Sequence, residues 1–123
     1  GPLFYEKDIL SDAPQHQVIA DIIREKLFLL MRQEVPHAIA VVIDEMRPVK
    51  GKTTYIRANI FVERDSQKEM VIGKQGAKLK RIGTEARVEL EKLFGGPVYI
   101  ELWVKVKGGW ADDERALKSL GFD

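Results

Sequence analysis

From residue 14 to about residue 33, the apolar positions recur every three or four residues. Ile19, Ile22, Ile23, Leu27, Leu30 and Met31 alternate with Asp21, Arg24, Glu25 and Arg32. That spacing predicts an amphipathic helix. Pro14 suits its first turn, Ser11 or Asp12 can cap it, and Pro36 stops it. The period then drops to two. In "AIAVVIDEM", Ile39, Val41 and Ile43 alternate with Ala40, Val42 and Asp44. In "TTYIRANIFVER", Ile56, Ala58, Ile60 and Val62 alternate with Tyr55, Arg57, Asn59, Phe61 and Glu63. Both runs read as strands, and Pro48 and Gly51 between them indicate a hairpin. Its tip carries Arg47, Lys50 and Lys52.

Helical spacing returns at Ser66, where "SQKE" matches a capping box with Glu69 reaching back. The glycines at 73 and 76 end this short helix. A second helix begins near Ala77 with an apolar stripe of Leu79, Ile82, Ala86, Leu90 and Leu93. Gly83 lies beside the stripe, where it would let two helices approach closely. "GGP" at 95–97 closes the helix. In "VYIELWVKV", Val98, Ile100, Leu102, Val104 and Val106 face one way and Tyr99, Glu101, Trp103 and Lys105 the other, as in a third strand. "DDERALKSLGFD" predicts a final helix, with Trp110 as its anchor and Gly121 at its end. A hairpin followed by a helical crossover argues for an α+β fold, with a mixed three-stranded sheet covered by helices on one face.

Length and composition then narrow the class. The 123 residues fit one domain, with residues 1–13 as a lead-in and 14–123 as the folded unit, and 45% apolar content supplies a core. There is no cysteine, so disulfides, thiolate metal sites and cysteine nucleophiles are excluded. His16 and His37 have no ligand pattern around them, and no metal site or catalytic constellation is expected. No apolar run approaches the length of about 18 residues that a membrane-spanning helix needs.

The net charge of +1 says little until it is divided. Residues 66–81 hold Lys68, Lys74, Lys78, Lys80 and Arg81 against Glu69 alone, a local charge of +4 that leaves −3 for the rest. A basic patch on a slightly acidic body suits a directed anion site, although many lysine runs are only solvated helix faces. Here the patch surrounds a turn. Gly73 and Gly76 bracket Lys74 and Gln75, and a helix starts directly after them. Its free N–H groups and the positive end of its dipole point toward the turn, where a phosphate would meet donors, dipole and lysine charge together. Met70, Val71 and Ile72 set apolar surface beside that clamp. Nucleobases need the apolar surface and phosphates the clamp.

The stretch "VIGKQGAKLKRIG" resembles the signature of KH domains, an Ile-Gly-x-x-Gly loop between two helices that clamps about four nucleotides of single-stranded nucleic acid. The order helix–strand–strand–helix–helix–strand is similar to the type II KH topology. "IREK" at 23–26, "VPHAIAV" at 35–41, "YIRANIFVERDSQK" at 55–68, "IGTEAR" at 82–87, "VYIELWVKVK" at 98–107 and the closing "ALKSLGFD" resemble the C-terminal KH domain of the Era family of ribosome-assembly GTPases. The opening "GPLFYEKDILSD" resembles the segment that joins the family's GTPase domain to its KH domain. No G-x-x-x-x-G-K-[ST] is present, so GTP hydrolysis is not assigned to these residues and no cofactor is expected; GTP and Mg2+ belong to the family's other domain.

The resemblance implies that this is the RNA-binding part of an Era-type GTPase, holding the 3′ end of small-subunit ribosomal RNA during ribosome assembly. Gly73, Lys74, Gln75 and Gly76 would grip the sugar-phosphate backbone, and Lys78, Lys80 and Lys68 would add charge. Ile72, Leu79, Ile60 and Val62 would line the groove for the bases. The partners expected are single-stranded ribosomal RNA, the small ribosomal subunit and the GTPase domain of the same protein. A monomer in the cytoplasm, also at the inner membrane face, would follow the family pattern. The alternative is a protein-docking module that uses the terminal helix or the open sheet face. Tyr55, Phe61, Tyr99 and Trp103 gather on that face, either to stack on one another or to meet a partner.

Overall fold

A computed structural model describes residues 13–32, 36 and 38–108. Three helices and three strands follow in the expected order: α1 (Ala13–Met31), β1 (Ala40–Pro48), β2 (Thr54–Val62), α2 (Asp65–Ile72), α3 (Ala77–Phe94) and β3 (Val98–Val106), with a 3-10 turn at Lys74–Gly76 between α2 and α3. The lead-in before Ala13, the capping residues Ser11 and Asp12, His37, and the predicted final helix with Trp110 lie outside the described residues.

The strands form one sheet in the order β1-β2-β3. β1 and β2 pair antiparallel across the predicted hairpin, and β2 and β3 pair parallel in continuous register from Thr54↔Val98 to Val62↔Val106. The fold is therefore α+β with a mixed sheet. All three helices pack on the face that presents Ile56, Ala58, Ile60 and Val62, each with no exposed surface. Ile19, Ile23 and Leu27 of α1 and Ile82, Ala86 and Leu90 of α3 close over these residues and are equally buried. Lys26 of α1 bridges to Glu89 of α3, and that carboxylate raises the lysine pKa above its ordinary value.

Two local features depart from the sequence pattern. The predicted capping box at Ser66 and Glu69 is shifted. α2 starts at Asp65, so Arg64 is the N-cap residue and Gln67 occupies the third helical position. The Gln67 side-chain carbonyl accepts from the backbone N–H groups of Glu63 and Arg64, each at 2.9 Å. The chain leaves the sheet directly after Val62, whose carbonyl still accepts from the Lys107 N–H, and this early exit brings the helix start forward. The second feature is a bulge in β1 between Ile43 and Glu45. The extra residue, Asp44, brings two carboxylates to one guanidinium: Arg57 lies 2.8 Å from Asp44 and 3.3 Å from Glu45.

The other sheet face carries the aromatic residues, as the alternation predicted. Tyr99 is 60% exposed and Trp103 51%. Tyr55 and Tyr99 stack with ring centroids 5.9 Å apart and planes at 26°. The Trp103 indole N–H donates to Glu101 at 2.6 Å.

These positions set opposite expectations for truncation. Ile60→Ala removes a fully buried side chain from the centre of the sheet and should cost about 2–5 kcal/mol. Trp103→Ala removes a half-exposed ring and should cost under about 1 kcal/mol. Urea unfolding of both variants, compared at equal denaturant slope, checks the contrast.

Candidate nucleic-acid interface

The turn between α2 and α3 is built from backbone conformations that side chains resist. The Gly73 N–H closes α2 on the Glu69 carbonyl at 2.9 Å, and the chain then swings through φ 76°, ψ 177°. That region is essentially restricted to glycine. A Cβ at this position would also stand 2.7 Å from Cγ of Lys78, so Gly73 is required twice, by torsion and by contact. Gly76 adopts φ 77°, ψ 11° with open space around it and is required by torsion alone. Its N–H donates to the Gly73 carbonyl at 3.1 Å. Gln75 is also left-handed, at φ 56°, ψ 26°, an uncommon state for a non-glycine residue. The side chains of Lys74 and Gln75 are exposed at the apex.

Gly76 is the N-cap residue of α3 and supplies no side-chain acceptor. The first turn of α3 contains no acid, and Lys78, Lys80 and Arg81 gather near its positive end. Ordinary helices place Asp or Glu there, because cations at an N-terminus oppose the dipole. Both the helix N–H groups and the lysines therefore favour an external anion. Arg81 is partly neutralised by Glu85 at 2.9 Å.

From this turn a groove of roughly 570 Å3 runs between α3 and β3. One bank is α3, with Leu79 and Lys80 near the turn, Gly83 and Thr84 midway and Arg87 at the far end. The other bank is β3, where Ile100 and Leu102 supply apolar surface, while the Glu101 carboxylate turns to the open face and accepts from Trp103. β3 is an edge strand, so half its backbone N–H and C=O groups point away from β2 toward this groove. The two banks differ: the helix side carries Lys80 and Arg87, the latter paired with Glu91 at 3.1 Å, and the strand side is apolar. A single strand laid here would turn its phosphates to α3 and its base edges to β3.

The expected site residues separate into groups. Gly73, Lys74, Gln75, Gly76, Lys78, Leu79 and Lys80 converge on the turn and the adjoining end of the groove. Ile72 is partly buried and packs against the core, and Lys68 lies back along α2, away from the groove lining. Ile60 and Val62 are a correction. Both have no exposed surface and point into the core, because β2 is the central strand and its apolar face is fully covered. The groove lining comes instead from the same face of the next strand, at Ile100 and Leu102, where the helical layer stops short of the sheet edge. Gly83 is corrected as well. Its missing Cβ faces Leu102 at 3.5 Å and Ile100 at 3.9 Å, so it opens the groove toward β3 and does not admit a second helix. Sequence reasoning missed Ile100, Leu102, Thr84 and Arg87. The usable signal was the right-handed crossover, which sets β3 at the sheet edge beside α3.

Comparison with known proteins agrees with this geometry. A family model for the KH domain matches residues 34–111. The GTPase Era of Geobacter metallireducens is 50% identical over 99% of this chain, and that of Leuconostoc citreum 47% identical over the whole chain. The chain spans 41% of the length of each. Among solved structures, Era from Aquifex aeolicus bound to GDP and aluminium fluoride superposes with a TM-score of 0.81 at 43% identity, over 88% of this chain and 36% of that one. An Era complex with MgGDPNP and nucleotides 1506–1542 of 16S ribosomal RNA superposes with a TM-score of 0.80 at 42% identity, over 86% of this chain and 36% of that one. The chain belongs to the KH-domain family, in its type II form, and is similar along its length to the Era GTPases.

Proposed function

We propose that this chain binds single-stranded RNA in the groove between α3 and β3, as the RNA-binding part of an Era-type GTPase. The observation that carries the reading is the uncapped, acid-free start of α3, which opens directly onto a groove with one cationic and one apolar bank. The turn at 73–76 holds one or two phosphates through backbone N–H groups, the helix dipole and Lys74. Lys80 and Arg87 follow the backbone along α3. Bases lie flat against Leu79, Gly83, Ile100 and Leu102, and their edges meet the free backbone groups of β3. The RNA proposed is the 3′ end of the small-subunit ribosomal RNA, because a relative of this fold is solved with a 16S segment. GTP binding and hydrolysis are not proposed for these residues, since the sequence contains no P-loop.

The exposed Trp103 favours the docking alternative, but the sheet face around it is acidic and its arginine is already paired. Arg57 is held by Asp44 and Glu45, and Glu101 is engaged by the indole. Trp103→Ala should therefore leave RNA affinity within a few-fold once a melting curve shows the variant folded. A hundredfold loss would move the RNA site to the sheet face.

Affinity should fall linearly on a log–log plot against salt. A turn and helix that neutralise three or four phosphates predict a slope of about −2 to −3, at roughly −0.7 for each phosphate on a single strand. A flat plot would remove the phosphate clamp from the mechanism.

Replacing Lys74 and Gln75 together by aspartate should abolish binding and leave the fold intact. Both side chains are exposed, and such changes usually cost within about half a kcal/mol. The apex charge changes by −3 while both glycines keep the turn. Thermal melting and fluorescence-anisotropy titration with RNA oligomers tiling the ribosomal 3′ end test this on the same samples. A variant that melts and binds like the parent would reduce the turn to a connector.

A further inference from the structure

The far end of the groove, opposite the glycine turn, adjoins a feature that the groove itself does not use. Arg47, Tyr55 and Tyr99 lie in register on adjacent strands, on the open face of the sheet. The Arg47 guanidinium sits 4.9 Å from the Tyr55 ring centroid, and Tyr55 stacks on Tyr99. The result is a three-layer stack, cation–ring–ring, running across the sheet toward its edge. Among the described residues β3 is that edge, and none of their strands lies beside the outer face of the Tyr99 ring. The ring is 60% exposed, and Tyr99 also stands at the mouth of the groove next to Val98.

We propose that Tyr99 is a stacking platform for one nucleobase beyond the groove, which takes the position of a fourth layer in the Arg47–Tyr55–Tyr99 stack. The proposal rests on the RNA-binding reading above and extends it by one nucleotide. Three observations select a nucleobase as the occupant. Tyr99 belongs both to the groove lining and to the stack on the open face, so a strand that leaves between Arg87 and Val98 and turns round the edge of β3 would meet the Tyr99 ring. An exposed ring already stacked on its other side, with centroids 5.9 Å apart, suits a base better than an aliphatic side chain. The exposed Lys50 and Lys52 of the hairpin tip supply charge for the accompanying phosphate. That tip is tied to the start of β3, with the Thr54 N–H donating to the Pro97 carbonyl at 3.0 Å and the Lys52 carbonyl close to Gly96.

The same face also limits the extension to one nucleotide. The next cross-strand row holds Glu45, Arg57 and Glu101, with the bulged Asp44 beside it; Arg57 pairs with Asp44 and Glu45, and Arg47 of the stack also pairs with Glu45, so three acids stand against two bases that they already hold. A second phosphate moving onto the sheet would meet this negative row. Trp103 lies beyond it, with its N–H already committed to Glu101. Stacking alone reads any base, so the platform favours large purine rings without a strict sequence requirement.

The test uses RNA oligomers from the ribosomal 3′ end: the shortest that binds the parent, and versions lengthened by one and by two nucleotides at either end. In the parent, one added nucleotide at one end should raise affinity roughly five- to a hundredfold, and a second should add little. Tyr99→Phe should keep this ratio of extended to minimal affinity, and Tyr99→Ala should bring it close to one. A 2-aminopurine at the added position should be quenched by the parent and by Tyr99→Phe but not by Tyr99→Ala. An unchanged ratio in Tyr99→Ala, or no gain from extension at either end, would overturn the platform while leaving the groove reading in place. A parent that binds none of the oligomers would overturn both.

Discussion

The crossover from β2 to β3 governs the rest of the molecule. The two strands are parallel neighbours, so the chain must travel from the end of β2 back to the start of β3. A parallel connection needs a dozen or more residues and is right-handed in nearly every case. Here it consists of α2, the glycine turn and α3. The length of α3 carries the chain back across the sheet, and its apolar stripe of Ile82, Ala86 and Leu90 holds it there. The turn is thereby fixed near the end of β3, and α3 runs beside an edge strand along its length. The groove, its two unlike banks and the position of the clamp all follow from this one connection.

The connection keeps features that lower local stability. Gln75 occupies a strained backbone region, and α3 begins without a side-chain cap while lysines crowd its positive end. A chain selected only for folding would place Ser, Thr or Asp at the cap and an acid in the first turn. Capping is adopted elsewhere in the same molecule: α2 is closed by Gln67 and carries Asp65 in its first turn. The contrast between two successive helices separates structural from functional design. The Gln67 side chain ties the residues before α2 to its first turn, and α3 has no such tie; on the proposed reading an external anion would meet its donors.

The element order, the faces of each strand and the glycine turn were legible in the sequence because each has a period or a residue type that demands it. What was not legible depends on spatial neighbours. Ile60 and Ile100 belong to the same apolar alternation and have the same side chain. Only the strand order decides that one is sealed in the core and the other lines a groove. Gly83 looked like a helix–helix contact because sequence shows its helical face and not the element opposite. The Ser66 cap failed by two residues, since the start of α2 is set by where β2 stops pairing with β3 and not by local propensity.

The two faces of β3 show how one strand can serve two surfaces. Its alternation sends Ile100 and Leu102 toward α3, and Tyr99, Glu101 and Trp103 to the opposite side. In a central strand these sets would be separated by neighbouring strands on both sides. At an edge they meet around the open backbone, and a ligand lying along that edge touches both. The acids on the open face then act as a boundary. On the proposed reading they would leave the α3 bank as the favourable path for a polyanion and would confine any excursion onto the sheet to the first ring. Charge of both signs is needed to define the track, which is why a chain with a net charge of only +1 can present a directed anion site.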